Sequence, residues 1–384
     1  MIRDEEILNQ FCDTVRRFVR ERLIPAEETV SENEAVPEDI LADMRELGLY
    51  GMTVPEEYGG LGMTAEEEVL VVMDLCHAAP VFRSKVGTNN GIGSQGIVID
   101  GTDEQKAKYL PKVASGEYVT SFALTEPDAG SDAASLRTQA IKDGNQYVLN
   151  GSKRYITNAA DASILTVMAR TDPDNKGASG ISAFIVEKDS PGVSIGKPNK
   201  KMGQPGANVY DINFDDVRVP PENLIGGVEG KGFYTAMKTL DRGRLHVAAV
   251  CIGVSERLIE ESLRYATERK QFGQPIADFQ LVQAMLADSR AESYAARCML
   301  LESARAYDRG ERNPGDVACC KYYASEMVGR AADRAVQIHG GAGYMSEYAV
   351  ERLYRDVRIF RIYEGTSQIQ QLVIARNMLK DFDG

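Results

Sequence analysis

Residues 91–96 read GIGSQG, the GxGxxG spacing whose glycines let backbone approach a dinucleotide pyrophosphate at a helix start. That chemistry needs a buried strand before the first glycine and a full helix after the last. Here FRSKVGTNN precedes the motif and only four residues separate Gly96 from GTDEQ, so the context predicts close helix packing at small residues instead. GGVEGKG at 226–232 has its glycines at the wrong spacing for a phosphate loop, and Gly232 stands where a magnesium-binding Ser or Thr is needed. DPDNKG at 172–177 opens like a calcium loop but places Lys176 at the fifth position, where an oxygen ligand belongs; a solvated hairpin turn is the better expectation. His77, His246 and His339 are far apart with no cysteine at ligand spacing, and Cys12, Cys76, Cys251, Cys298, Cys319 and Cys320 contain no CxxC pair. No structural metal is expected, and the cysteines read as small core hydrophobes in a reducing compartment.

The elements that must position any site are those of a chain of 384 residues, long enough for two or three domains at about 100–200 residues each. Hydrophobic residues make up 43% and charged residues 26%, an ordinary globular balance. The net charge of −13 and pI near 5.0 repel phosphate backbones and anionic lipid, which argues against nucleic acid as a partner. No apolar run approaches the ~20 residues that span a bilayer, and MIRDEEILNQF places acids where a signal peptide has a basic and then an apolar start. A cytoplasmic protein is expected.

Three blocks of different periodicity follow. From residue 4 to about 120 the pattern is helical: Ile7, Phe11, Val15 and Phe18 make one apolar stripe, Thr64 and Glu67 have capping-box spacing, and Asp103 opens another helix-like stretch. Between about 122 and 228 short β-rich runs such as QYVLN, ILTVMA and SAFIVE alternate with Asn and Gly turns, Asn150–Gly151 being the strongest hairpin signal. Strands without intervening helices argue for an antiparallel sandwich or barrel rather than βαβ units. After about 229, RLHVAAVCIGVSERLIEESLRYATERK and FQLVQAMLADSRAESYAARCMLLESARAYDRGE read as long helices that pack as a bundle. The expected class is α+β, with an N-terminal helical domain (1–121), a middle antiparallel β-barrel domain (122–228) and a C-terminal four-helix bundle (229–384).

ALTEPDAGSD at 123–132 packs acids, a proline and a Gly-Ser step onto the end of a β run, which is odd for an ordinary turn. This stretch resembles the diagnostic segment of the acyl-CoA dehydrogenase family. The likeness continues, in the family's order, through GSKRYITN (151–158), KMG (201–203), FDDVRVPPENLIG (214–226), EGKGFYTAMKTLDRGR (229–244), ERKQFGQPI (268–276), QIHGGAGYM (337–345) and RIYEGTSQIQ (361–370). It covers essentially the whole chain. The resemblance implies an FAD enzyme of fatty acid metabolism, of the β-oxidation type. It would oxidise an acyl-CoA thioester to trans-2-enoyl-CoA and pass electrons to an electron-transferring flavoprotein.

On that resemblance Glu364 in YEGTS is the catalytic base, flanked by Tyr363 and Gly365, with its backbone N–H polarising the thioester; the residue alone reads as an exposed glutamate before a turn glycine. Some branched-chain members resemble one another in carrying the base on LDxER, where this chain has Gly243. Asp241 and Arg244, flanking that position, match contacts for CoA pantetheine and pocket wall, as does Ser131 on the substrate side. For FAD the matching residues are Phe122, Ala123, Leu124, Thr125 and Ser131, then Tyr155, Ile156 and Thr157. Tyr155 stands where most relatives have Trp, and this chain has none; an aromatic face survives. Arg269, Gln271 and Phe272 with Gln337, Gly340 and Gly341 match the dinucleotide end. They reach FAD held mainly by a neighbouring subunit, which implies a homo-oligomer, a tetramer built as a dimer of dimers. Thr366 and Gln368 match further FAD contacts.

Two departures stand out. Most relatives follow KMG with Arg-x-Ser-x-Thr, whereas QPGANV (204–209) places Pro205, Ala207 and Val209 there, implying a local rearrangement of the β domain. Arg83 in FRS (82–84) falls where the family's acyl pocket is lined. This is similar to glutaryl-CoA dehydrogenase, where an Arg-Ser pair meets the distal carboxylate, and to related desulfinases acting on sulfinate-bearing acyl-CoA; its plain reading is a solvent-facing or salt-bridged arginine. Three functions follow: desaturation of a short acyl chain, with a polar or anionic tail as variant; elimination or oxygen chemistry on the same flavin; or a non-catalytic scaffold, which predicts a lost base or flavin site.

Overall fold

The computed structural model describes residues 1–311 and 313–383. The first third is helical: α1 (Glu5–Phe18), α2 (Ile24–Asn33), α3 (Glu38–Glu46), α4 (Ala65–Leu75), α5 (Pro80–Asn90), α6 (Gln95–Asp100) and α7 (Asp103–Ala114). Asp4 caps α1 by accepting from the N–H groups of Glu6 and Ile7, and Leu8, Cys12, Val15 and Phe18 form its buried face. The stripe is therefore rotated from the expected one. Ile7 is 66% exposed, because Leu8 and Cys12 hold the positions that stack on Val15 and Phe18. The Thr64–Glu67 capping box is present at α4, and Thr102 with Gln105 forms a second one at α7.

The middle block holds β1 (Thr120–Ala123), β2 (Gln139–Asp143), β3 (Gln146–Thr157), β4 (Ile164–Arg170), β5 (Ile181–Glu187), β6 (Val193–Ile195) and β7 (Val209–Val219). They form one sheet in the order β1-β4-β2-β3-β7-β6, with β5 paired to β4. Most pairings are antiparallel as expected, but β1 runs parallel to β4, and so does β2 at one register position. The reason is connectivity: the β2–β3 hairpin lies between β1 and β4 in the chain and supplies the long crossover that a parallel pair needs. β4 and β5 are buried on both faces. Leu165, Val167, Phe184 and Val186 face the sheet's own core, while Met168, Ile181 and Ile185 pack with Leu110, Val113 and Ala236 of the helices.

Asn150–Gly151 is not a turn. Both residues lie inside β3, where the ladder to β7 shifts register between Leu149 and Gly151. Gly151 has φ +146°, and a Cβ there would stand 2.7 Å from the Thr138 backbone, so the pair marks a β-bulge. The β2–β3 turn sits instead at Gly144, with φ +60°. DPDNKG does form a turn, joining β4 to β5, in which Asp172 accepts from the N–H groups of Asp174 and Asn175.

The last block comprises α8 (Gly232–Glu268), a short hairpin of β8 (Lys270–Gln271) and β9 (Gln274–Pro275), α9 (Gln280–Asp308), α10 (Pro314–His339), α11 (Ala349–Val357) and α12 (Ser367–Asp383). α8 is the axis of the molecule. Every residue from Gly243 to Ser255 is buried, and one continuous core joins Val72 and Phe82 on its N-terminal side to Met327 and Val328 of the bundle. A helix covered all round is apolar unless its polar residues find partners, which singles out Arg244 and His246.

Candidate active site

A small cavity, partly open to solvent, lies where α4, α5, α8 and the loop before α12 meet. It is lined by Glu68, Arg83, Gly87, Gly91, Ile92, Arg242, Gly243, His246 and Glu364. Glu364 and Gly365 precede the long helix α12 with φ values of +52° and +86°. For a glutamate that is a strained, left-handed conformation, and side chains hold it. Lys321 Nζ, from a residue with no exposed surface, donates to the Gly365 carbonyl at 2.7 Å. Gln370 Nε2 donates to the carbonyls of Glu364 and Gly365 at 3.0 and 3.2 Å. With both carbonyls tied down on the α10 and α12 side, the peptide and the side chain of Glu364 are fixed relative to the cavity.

The residue as a whole is half-buried, but its Oε2 is sealed from solvent and, among the described residues, has no hydrogen-bond partner. Burial raises the carboxyl's pKa, and the charges of Arg83, Lys321 and Arg244 offset part of that rise. An unpartnered carboxylate oxygen with a raised pKa is equipped to take a proton from carbon rather than to sit in an ion pair. Burial likewise brings Lys321 down to about 8, opposed by Cys251 and Glu364.

Of the other expected substrate residues, Arg83 lines the cavity and is 8% exposed. Its neighbour Ser84 does not line it: the hydroxyl donates to Pro80 O at 3.0 Å and reaches Gln204 at 3.4 Å. Asp241 and Arg244 form an ion pair of 2.7 Å on α8, one on each side of Gly243, and Tyr363 stacks at a tilt on Phe360. Ser131 is exposed on the 123–132 loop and is not among the cavity-lining residues. Sequence reasoning missed Glu68 and His246. The signals were a third glutamate in a capping-box run and a lone histidine inside an apolar helix.

The residues expected at the flavin fall into two groups. Phe122 and Ala123 end β1, and Leu124 and Thr125 follow them beside Tyr155, Ile156 and Thr157 of β3: Arg154 N–H donates to Thr125 O at 2.9 Å, and the Ser121 hydroxyl donates to Thr157 O at 2.7 Å. A buried pair anchors this junction. Lys153 Nζ donates to Glu126 at 2.8 Å and to Leu124 O at 3.1 Å, and Glu126 accepts the N–H groups of Arg137 and Thr138. Tyr155 stands at a register shift in β3 with φ +59° and is 60% exposed, so the irregular backbone presents its ring outward. The second group gathers at the far end of the bundle, where Tyr265 of α8 stacks on His339 of α10 with centroids 4.3 Å apart. Arg269, Gln271 and Phe272 leave α8 there, and Gln337, Gly340 and Gly341 end α10. Among the described residues, no atom beyond the adjoining backbone lies within 4 Å of a Cβ built on Gly340 or Gly341, leaving bare backbone that a pyrophosphate could approach. Thr366 and Gln368 stay with Glu364. Lys321 and Gln337 are 16 positions apart on α10, about 24 Å at 1.5 Å per residue.

The departing segment QPGANV is stitched in by Gln204, with φ +53°. Its backbone N–H donates to Asp356 Oδ1, and its Nε2 donates to Asp356 O at 3.1 Å. Asp356 Oδ2 is buried without a partner among the described residues, and burial lifts this carboxyl to about 6.

Comparison with known proteins agrees with this architecture. Family models for the acyl-CoA dehydrogenase N-terminal, middle and C-terminal domains match residues 5–117, 121–217 and 230–379. The chain belongs to the acyl-CoA dehydrogenase family and is an oxidoreductase of that kind. It is 42% identical over 365 residues to an acyl-CoA dehydrogenase of Bacillus subtilis, covering 95% of this chain and 96% of that one. It is 43% identical over 351 residues to a subunit of the caffeyl-CoA reductase–Etf complex of Acetobacterium woodii, covering 91% and 92%. The structure of butyryl-CoA dehydrogenase from Megasphaera elsdenii superposes with a TM-score of 0.94 at 36% identity, covering 99% of this chain and 100% of that one.

Proposed function

We propose that the protein is an FAD-dependent dehydrogenase of a short acyl-CoA thioester, forming the trans-2-enoyl-CoA. The observation that carries this reading is the sealed, unpartnered Oε2 of Glu364 at the cavity over Gly243. Glu364 takes the proton from the carbon next to the thioester carbonyl. Its backbone N–H polarises that carbonyl, while the Lys321 and Gln370 clamps hold the Glu364–Gly365 carbonyls. Bound FAD would accept the hydride from the adjacent carbon.

FAD fits the residues present: Thr125, Tyr155 and Thr157 would hold the ring, and Thr366 and Gln368, which follow the base, would add contacts. The bare glycines beside Gln337 suit a pyrophosphate, with Arg269 supplying charge. Gln337 stands about 24 Å along α10 from Lys321, and on the family pattern its group would serve FAD held by a second subunit, so the working form is a homo-oligomer, a tetramer. An electron-transferring flavoprotein is the acceptor, in keeping with the Etf complex of one relative. Among the described residues no helix is long and apolar enough to cross a membrane; cytoplasmic work on a CoA ester is part of the proposed reading.

A cavity floored by Arg83, Glu68, Arg242 and His246 disfavours a long alkyl tail, because burying hydrocarbon against desolvated charge is costly. Arg83 also favours a second reading, in which the acyl chain ends in a carboxylate or sulfinate. Purified protein, reconstituted with FAD and mixed without oxygen with butyryl-CoA and glutaryl-CoA, tests the dehydrogenase reading. Loss of the oxidised flavin absorbance with either ester supports it. An unchanged spectrum with every short acyl-CoA ester rejects it.

A further inference from the structure

Beneath the cavity four side chains form one hydrogen-bonded row that proton abstraction by Glu364 does not require. Arg83 Nε donates to His246 Nε2 at 2.5 Å. His246 Nδ1 lies 2.7 Å from Glu68, whose other oxygen accepts from Arg242 Nε at 2.8 Å. The direction of every bond follows from the first. A guanidinium can only donate, so His246 Nε2 must accept; the ring proton is then on Nδ1 and is given to Glu68. His246 is neutral in this arrangement, and burial followed by the charge of Arg83 pushes it down to about 4. Burial opposes the charge of Glu68, but Arg242 and the hydrogen bond from His246 outweigh it and hold the carboxyl at about 2.

The charges do not cancel around Arg83. Glu68 is matched by Arg242. Among the described residues Arg83 has no carboxylate at ion-pair distance, and its Nε bond is to a neutral ring. Its guanidinium lies along α5 over Gly87, where a Cβ would stand 3.2 Å from Nε and Cζ. The glycine one turn on thus leaves it room to lie flat. Held at Nε, Arg83 has its remaining N–H groups free for the cavity it lines.

We propose that His246 determines the substrate class: as a neutral acceptor locked by Glu68, it turns Arg83 to receive the negatively charged end of a short acyl chain. This rests on the dehydrogenase reading in its anionic-tail form and adds to it a positioning residue. Leucine at 246 strands a buried guanidinium N–H and frees Arg83 to turn away. Glutamine keeps one acceptor for Arg83 and one donor for Glu68.

The test uses FAD-loaded protein and an artificial acceptor, with kcat/KM measured for glutaryl-CoA and butyryl-CoA. The wild type prefers glutaryl-CoA. His246→Leu lowers the glutaryl-to-butyryl ratio by about tenfold or more, the size expected for a charge-assisted hydrogen bond, and His246→Gln keeps the ratio within about threefold of wild type. A ratio that His246→Leu leaves unchanged overturns the proposal, as does an equal loss from both the Leu and Gln variants while both melt as cooperatively as wild type. Calorimetric binding of the two esters to each variant in a Glu364→Gln background reads the same ratio without turnover. If no ester reduces the flavin, the dehydrogenase reading fails, and this binding ratio still decides the role of His246.

Discussion

The carboxylate of Glu364 fills the space that a side chain on Gly243 would need. A Cβ built on Gly243 collides with Glu364 Oε2 and stands 3.2 Å from its Cδ. A glutamate reaching the cavity from the α12 side and a bare α8 backbone therefore require each other. Gly243→Ala should displace the carboxylate while leaving the helix intact, since alanine favours helix. A shift of about 1 Å in a base costs on the order of a hundredfold, so stopped-flow flavin reduction by butyryl-CoA should slow by about that factor.

Lys321 is a buried cation whose hydrogen bond goes to Gly365 O, next to the base. Lys321→Met removes one of the clamps on a left-handed Glu364–Gly365 pair. The flavin-reduction rate should fall by about ten- to a hundredfold, with acyl-CoA affinity changed by less than about threefold. Parallel loss of rate and affinity would mean that the residue supports the whole pocket.

The Lys153–Glu126 pair ties the 123–132 loop to β3 with almost no exposure on either side. Removing one partner of a buried pair leaves an uncompensated charge, at a cost of about 3–5 kcal/mol. Lys153→Met should therefore lower denaturant stability by about that amount and weaken FAD retention, because Thr125 is positioned by the same junction. Urea titration and flavin content measure the two effects.

Much of this was legible in the sequence. The helix, strand, helix order follows from hydrophobic period, and the α4 capping box from Thr64 and Glu67. Legibility fails where local signals meet tertiary packing. Asn150–Gly151 has turn chemistry, yet β7 pairs across it and makes a bulge. Ile7 fits a helical stripe, but Leu8 and Cys12 fit the one that reaches the core. Glu364, Arg83 and Gly243 could be named singly from the family resemblance. The Arg83–His246–Glu68 row could not, because its members come from three helices and the chain order does not predict which of them face one cavity.

Asp356 titrates at about 6 when folded and near its ordinary 3.8 when unfolded. Between those values the folded state holds a proton that the unfolded chain lacks, so this residue's penalty is full above about pH 6 and fades as pH falls toward 4. Arg352, Arg355, Glu27 and the Gln204 N–H face it. Asp356→Asn keeps an acceptor for Gln204 and should stabilise the protein above pH 6 by on the order of 2 kcal/mol. For a chain of 384 residues that is a rise of about 2–3 °C in Tm, with little gain near pH 4, as read by thermal melts across the range.

The central claim is that Glu364 removes the substrate proton. Glu364→Gln retains size and an acceptor but no base. The holoprotein carrying it should keep its yellow FAD and bind butyryl-CoA within about threefold of wild type, while anaerobic stopped-flow shows flavin reduction slowed by about 10²–10⁴-fold. Reduction at a near-native rate would place the base elsewhere and contradict the account.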